Sequence, residues 1–140
     1  MPAHRPLVDV EALLVAHLDD DVALSALVAD NDVASELPSD FPPEGRPFVQ
    51  VFRASATTVD PETGHIERVV VQVNGYGATK ANAWDVIAET YRSILEATGT
   101  HAAGVVTATV RLTGPTWSPD PITDAARYTS SFAVTVHPTT

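Results

Sequence analysis

The sequence predicts an α+β fold: an antiparallel four-stranded sheet with helices packed on one face, in the order α-α-β-β-α-β-β. In four segments apolar residues alternate with polar ones, which is the pattern of a half-buried strand. In the segment that begins near Thr79 they recur every three to four positions, which is the pattern of an amphipathic helix. The 140 residues, 44% of them hydrophobic and 19% charged, have the composition of a folded protein, so we predict one α+β domain over residues 1–140.

Two helices are predicted before the sheet. Asp9 is a suitable N-cap for the first, and either Asp20 or Asp21 for the second, because a carboxylate can accept a hydrogen bond from the first turn. The first helix carries an apolar stripe at helical spacing, formed by Val10, Leu13, Leu14, His17 and Leu18. After Asn31 the chain is predicted to be irregular, and residues 37–47 contain four prolines, which exclude a helix.

A β-hairpin is predicted next. Residues 48–54 and 68–74 alternate in the manner of strands, and the segment from Asp60 to Gly64 has the composition of a turn. The long helix then places apolar side chains along one side, and we predict Trp84 and Tyr91 to be core residues. That predicted stripe is Trp84, Ile87, Ala88, Tyr91 and Leu95.

Two further strands are predicted at residues 106–113 and 128–137. Residues 114–124 lie between them and are predicted to form a loop, because they are too many for a tight turn and contain three prolines. Trp117 lies in this segment. A tryptophan there either folds back over the edge of the domain or projects into a partner, where Trp is a frequent anchor.

The formal net charge of −10 is concentrated in the first third of the chain. Residues 1–45 hold ten acidic side chains and a single Lys or Arg, Arg5. Because affinity for nucleic acid depends on Lys and Arg displacing counterions, direct DNA binding by this region is disfavoured. We interpret the acidity as a contribution to solubility.

The composition also excludes some classes of site. There are no cysteines, so neither disulfides nor thiolate metal sites are expected. The first residues lack the apolar run that a signal peptide requires, and no segment reaches about 18 uninterrupted apolar residues. We therefore expect synthesis in the cytoplasm and no membrane partner.

No motif predicts catalysis. The acidic run Asp19-Asp20-Asp21 lacks the spacing of a calcium loop, and we predict an exposed acidic loop. His17 lies on an apolar stripe and is predicted to be a partly buried, hydrogen-bonded histidine. Gly75 and Gly77 precede a helix, but the third glycine of a dinucleotide site is absent, so a strand-to-helix corner is predicted. No catalytic, cofactor-binding or metal-binding residues are predicted.

Several ordered features form a pattern that covers most of the chain. They are Leu37-Pro38, the strand residues 47–51, the turn from Asp60 to Gly64, the strand residues 69–73, Tyr76, Ala83, Trp84 and the helix residues 92–95. Together they resemble the tail terminator (tail completion) proteins of long-tailed bacteriophages. The resemblance is one of element order and apolar spacing.

This resemblance implies a structural virion protein that assembles as a homo-oligomeric ring, usually a hexamer, on the head-proximal end of the tail tube. The ring stops polymerisation of the tube and joins the tail to the neck. Its implied partners are the tail tube protein and a neck or head-completion protein, and the genome passes through the ring without sequence-specific binding. It implies a location in the tail or neck of the virion, with assembly in the host cytoplasm, and neither enzymatic activity nor a cofactor.

A ring needs surfaces that match a neighbouring copy head to tail. We hypothesise that Trp117 and the Pro-rich segment around Phe41 lie in or beside such contacts. A second hypothesis is that the acidic side chains of residues 1–45 line the channel and repel DNA phosphate. Two alternatives stay open at this point: another head-tail connector or neck component, and a small α+β ligand-binding or enzymatic domain.

Overall fold

A computed structural model describes residues 7–29, 32–39, 45–59 and 66–139. The helices are α1 (Val10–Asp19), α2 (Val22–Ser25) and α3 (Lys80–Leu95). The strands are β1 (Val33–Ala34), β2 (Phe48–Thr58), β3 (Glu67–Gly77), β4 (Gly99–His101), β5 (Gly104–Trp117) and β6 (Ala126–His137). No helix in these ranges is long and apolar enough to cross a bilayer.

The six strands form one mixed sheet in the order β1-β2-β3-β6-β5-β4, curled into a half-barrel. β1 is parallel to β2, and every other neighbouring pair is antiparallel. The predicted four-stranded antiparallel sheet in the order α-α-β-β-α-β-β is therefore wrong. β1 has two residues and β4 has three, so neither is long enough to show an alternating pattern; pairing with a longer neighbour defines both.

The helix starts follow from their capping side chains. The Ala12 N–H donates to the Asp9 carboxylate at 3.0 Å, and the Leu24 N–H donates to Asp21 at 3.0 Å. α3 begins in the same way, with Thr79 as its N-cap. These hydrogen bonds confirm that Asp9 and Asp21 are N-caps, and Thr79 confirms the predicted start of the long helix.

α3 packs closely over β3 because two glycines leave room for it. A Cβ added to Gly77 would lie 2.5 Å from the Ala83 nitrogen, and one added to Gly75 would lie 3.0 Å from Cβ of Ile87. The predicted stripe is right at Ile87, which is fully buried, but wrong at Trp84 and Leu95, which are exposed. The buried side of α3 is Ala83, Val86, Ile87, Thr90, Ser93 and Ile94. One residue turns an α-helix by about 100°, so Trp84 lies on the flank of the helix.

One buried apolar cluster joins the helices to the sheet. It contains Leu13, Leu14 and Leu18 of α1, Ile87 and Ile94 of α3, and strand valines such as Val71. The other face of the sheet is more polar. There the Gln72 side chain donates to Asn74 at 3.1 Å, and the Asn74 amide donates to Gln50 at 3.0 Å.

Candidate interaction surface

The acidic run at the α1–α2 junction is structural. Asp21 caps α2 and accepts two hydrogen bonds from the Arg92 guanidinium, at 3.0 and 2.9 Å. Burial alone would raise the pKa of Asp21, but the hydrogen bond from the Leu24 N–H and the charge of Arg92 outweigh it and hold the pKa below its usual value. The carboxylate therefore stays ionised and ties α2 to α3.

Two histidines lie beside the end of α3. The Nε2 atom of His17 is 2.8 Å from the Ser93 carbonyl oxygen, and Nε2 of His101 is 2.6 Å from the Ala97 carbonyl oxygen. The two rings meet edge to face with centroids 5.5 Å apart. His17 is half-buried, which confirms the prediction made for it. Across the described ranges, no three His, Asp or Glu side chains are grouped so that they could hold a metal ion.

Four side chains meet at the other end of α3 and form what we call the aromatic cluster: Lys80, Trp84, Trp117 and Tyr128. The Tyr128 ring lies between the two indoles, with centroids 5.3 Å from Trp84 and 5.2 Å from Trp117. The Lys80 ammonium lies 5.0 Å from the Trp117 ring centroid. Aromatic pairs are worth about 0.5–1.5 kcal/mol and exposed cation–π contacts about 0.5–1 kcal/mol, so the four side chains hold one another in place.

The local sequence explains why these side chains meet. Lys80 and Trp84 are four residues apart on α3 and share one side of the helix. Trp117 and Tyr128 face each other across the β5–β6 ladder. Tyr128 also pairs with Gly75 of β3, on which α3 rests. The ladder therefore brings Tyr128 to the flank of α3 where Trp84 projects.

The aromatic cluster remains open to solvent. Trp84 is 46% exposed and Trp117 is 38% exposed. The prediction that Trp84 is a core residue is therefore wrong, whereas Tyr91 packs partly buried against the core. Large exposed aromatic side chains that are already held in one conformation are suited to be anchors in a protein interface, because little side-chain entropy remains to be lost.

Trp117 was predicted to lie in a loop, but it is the last residue of β5. β5 runs through Pro115, which is compatible with a strand at an edge because its missing N–H is not needed by a neighbour. The turn that follows is fixed by Asp120, whose carboxylate accepts from the N–H groups of Ile122 and Thr123 at 2.9 and 3.1 Å. Arg127 adds a hydrogen bond of 2.7 Å to the Ser118 carbonyl oxygen. Trp117 is thus held on a rigid support.

The second predicted interface residue, Phe41, lies outside the residues that the structure describes. Sequence reasoning also missed Lys80 and Tyr128 as neighbours of Trp117. The period-2 pattern placed Tyr128 on a strand, but only the pairing register of β5 with β6 brings it against Trp117.

Next to the aromatic cluster, β5 forms an open edge of the sheet. β4 pairs only with Gly104, Val105 and Val106. From Thr107 onward β5 has no second strand beside it within the described part of the chain. Val110 and Leu112 on this stretch are 48% and 46% exposed. The guanidinium of Arg111 donates to the Tyr91 hydroxyl of α3 at 3.0 Å, so Arg111 lies on the same face of the sheet as the aromatic cluster, and Val110, the residue before it, lies on the opposite face.

Comparison with known proteins gives a fold relative. The chain matches no protein-family model and no curated protein by sequence. It is similar to a chain in a solved structure described as "Virion of native gene transfer agent (GTA) particle", with a TM-score of 0.68 and 20% sequence identity. The match covers 91% of this chain and 93% of that chain. At this identity the likeness establishes a shared fold over nearly the full length of both chains.

Proposed function

We propose that this chain is a structural component of a phage-like virion. The observation that supports the proposal is the shared fold over 91% of this chain with a chain of a gene transfer agent virion particle. The exposed aromatic cluster and the open edge of β5 are consistent with it, because a virion component needs surfaces for neighbouring subunits rather than reacting groups.

Within that class, we propose a tail terminator: a ring, usually a hexamer, that caps the head-proximal end of the tail tube, stops its growth and presents a surface to the neck. The support is the residue pattern that resembles this family together with the virion fold relative. The proposal includes no enzymatic role. Two of the titratable side chains considered in the sequence, Asp21 and His17, hold α3 to the first two helices.

The direct test is to add the purified chain to growing tail tubes assembled from the tube protein of the same virion. Negative-stain images are expected to show a ring at one end of each tube, and the mean tube length is expected to fall as the ratio of this chain to tube protein rises. Tubes of unchanged length with bare ends would contradict the terminator role.

The same experiment separates the terminator from another head-tail connector. A connector on the head side would bind isolated portal-bearing heads in the absence of tubes and leave tube length unchanged. Binding to tube ends with loss of growth supports the terminator, and binding only to heads supports the connector.

A further inference from the structure

The two flanks of the sheet differ in charge. At one flank β1 lies beside the start of α1, and a groove of about 290 Å³ between them is lined by Asp9, Glu11, Val15, Ala34 and neighbours. The residues lining this groove include two acidic side chains, Asp9 and Glu11, and no Lys or Arg, whereas Asp32 beside β1 is paired with Arg46 at 2.8 Å. We call β1 and this groove the β1 flank. Its charge is negative.

The opposite flank is the open edge of β5. No acidic residue occurs between Gly104 and Trp117, and Arg111 lies in the middle of this stretch. Lys80 adds a second positive charge at the aromatic cluster. The strand stretch at this edge therefore has a positive side chain and no negative one, which makes it electrostatically complementary to the two carboxylates of the β1 groove.

The backbone of β5 is also arranged to accept a strand over a short stretch. From Ala108 to Arg111 the strand stays in regular register with β6, and irregularities lie on either side, between Val106 and Ala108 and between Arg111 and Thr113. At the edges of natural sheets, bulges, charged side chains and prolines prevent pairing with unrelated strands. The stretch from Ala108 to Arg111, which we call the β5 edge, contains no bulge and no proline. It is only four residues long and so matches a short partner such as β1.

We propose that the β5 edge of one copy of this chain lies against the β1 flank of the next copy, so that the sheet continues from subunit to subunit. The proposal rests on the ring of the proposed function, since a closed ring requires one surface to meet a different surface of its neighbour. Contact between two β5 edges is disfavoured because it would bring two Arg111 side chains together.

The aromatic cluster lies at the far end of β5, beside this contact. Trp84 and Trp117 then either cover the rim of the subunit contact or face the tube, and both places suit exposed indoles. The contact itself is carried by the β5 edge and by the attraction between Arg111 and the acidic β1 flank.

Because the chain has no cysteine, the proposal can be tested by cross-linking of introduced cysteines. Ala34→Cys places a thiol on the β1 flank, and Val110→Cys or Ala108→Cys places one on the β5 edge; the last two test alternative registers, since a disulfide needs Cβ atoms about 4 Å apart. The full-length double variant carrying Ala34→Cys with one of these is oxidised and analysed on a non-reducing gel.

The expected result is a ladder of multimers ending in a closed species. We expect at least about tenfold more multimer than in a control, because a preformed contact raises the effective thiol concentration into the millimolar range. The control combines Val110→Cys with Val22→Cys, since Val22 is 86% exposed on α2 and belongs neither to the residues that line the β1 groove nor to β5. A mixture of the two single variants should stop at dimers.

Two results would overturn the proposal. In the first, Val110→Cys alone forms cross-linked dimers in as high a yield as the double variant forms multimers. In the second, no double variant forms more multimer than the control. The cross-linking and tube-binding experiments together show whether the proposed contact or the proposed function is wrong. Rings on tube ends without cross-links would remove this contact and keep the terminator, whereas cross-linked rings that ignore tubes would keep the contact and remove the terminator.

Discussion

The two sides of α3 show how similar apolar side chains have different consequences. On one side Ala83 and Ile87 press against the glycines of β3 and are fully buried. On the flank of the helix, one residue after Ala83, Trp84 joins the aromatic cluster and is 46% exposed. Hydrophobicity alone does not distinguish the two sides. The close approach permitted by Gly75 and Gly77 determines which side faces the sheet.

The largest expected effect on stability tests the buried side. Ile87→Ala should lower the free energy of unfolding by about 3 kcal/mol, because it removes a fully buried side chain and leaves a cavity. Trp84→Ala, although it removes a larger side chain, should cost about 1 kcal/mol or less. Urea denaturation followed by circular dichroism measures both. Equal losses would show that Trp84 contributes to the core as much as Ile87 does.

The next effect tests the glycines. Gly77→Ala should lower the free energy of unfolding by about 2 kcal/mol, because its Cβ would lie 2.5 Å from the Ala83 nitrogen and push α3 away. Gly114→Ala is the matched control, since nothing lies within 4 Å of a Cβ there, and it should change stability by less than about 0.5 kcal/mol. If both substitutions are neutral, close packing is not what orients α3.

The features that these two tests address differ in whether the sequence could predict them. The caps Asp9 and Asp21, the β2–β3 hairpin and the start of α3 are local features, and each was predictable from residue type and spacing. The side of α3 that faces the sheet was predicted only in part: Ile87 is buried as predicted, but Trp84 and Leu95 are exposed, because the stripe led by Trp84 is as apolar as the one led by Ala83. A glycine in a strand is a sequence signal for close backbone approach, and applied to Gly77 it would have favoured Ala83.

In the sheet and in the candidate surface, too, local features could be predicted from the sequence and features that depend on the whole fold could not. β1 and β4 have no pattern of their own, since two or three residues cannot alternate, and they exist only through pairing with β2 and β5. Trp117 could be selected from the sequence as an unusual tryptophan. Its contacts with Tyr128 and Lys80 depend on the β5–β6 register and on the place of α3, which are properties of the whole fold.

A smaller effect, dependent on pH, tests the polar tie between α2 and α3. The folded-state pKa of Asp21 is lowered from 3.8, so its stabilising contribution is complete above the unfolded pKa and is lost as pH falls through the folded pKa. Asp21→Asn should therefore destabilise the protein most near neutral pH, and the difference from the unaltered chain should shrink below about pH 4. Asp20→Asn is the control, since the backbone N–H of Asp20, not its side chain, caps α1. A difference that is constant from pH 7 to pH 3 would contradict this ionic role.

The smallest effect on stability is expected at Trp117, where the effect on assembly should be the largest. Trp117→Ala removes a side chain that is 38% exposed and touches mainly Tyr128 and Lys80, so the free energy of unfolding should fall by about 1 kcal/mol or less. If Trp117 is an anchor, losing about 2 kcal/mol at each contact weakens that contact by about 30-fold. Light scattering should then show a reduced ring population. Ile122→Ala, at a 93% exposed side chain on the neighbouring turn, should leave that population unchanged. An unaltered ring population in Trp117→Ala would remove Trp117 from the interface and leave the aromatic cluster as a local brace between α3 and the end of β5.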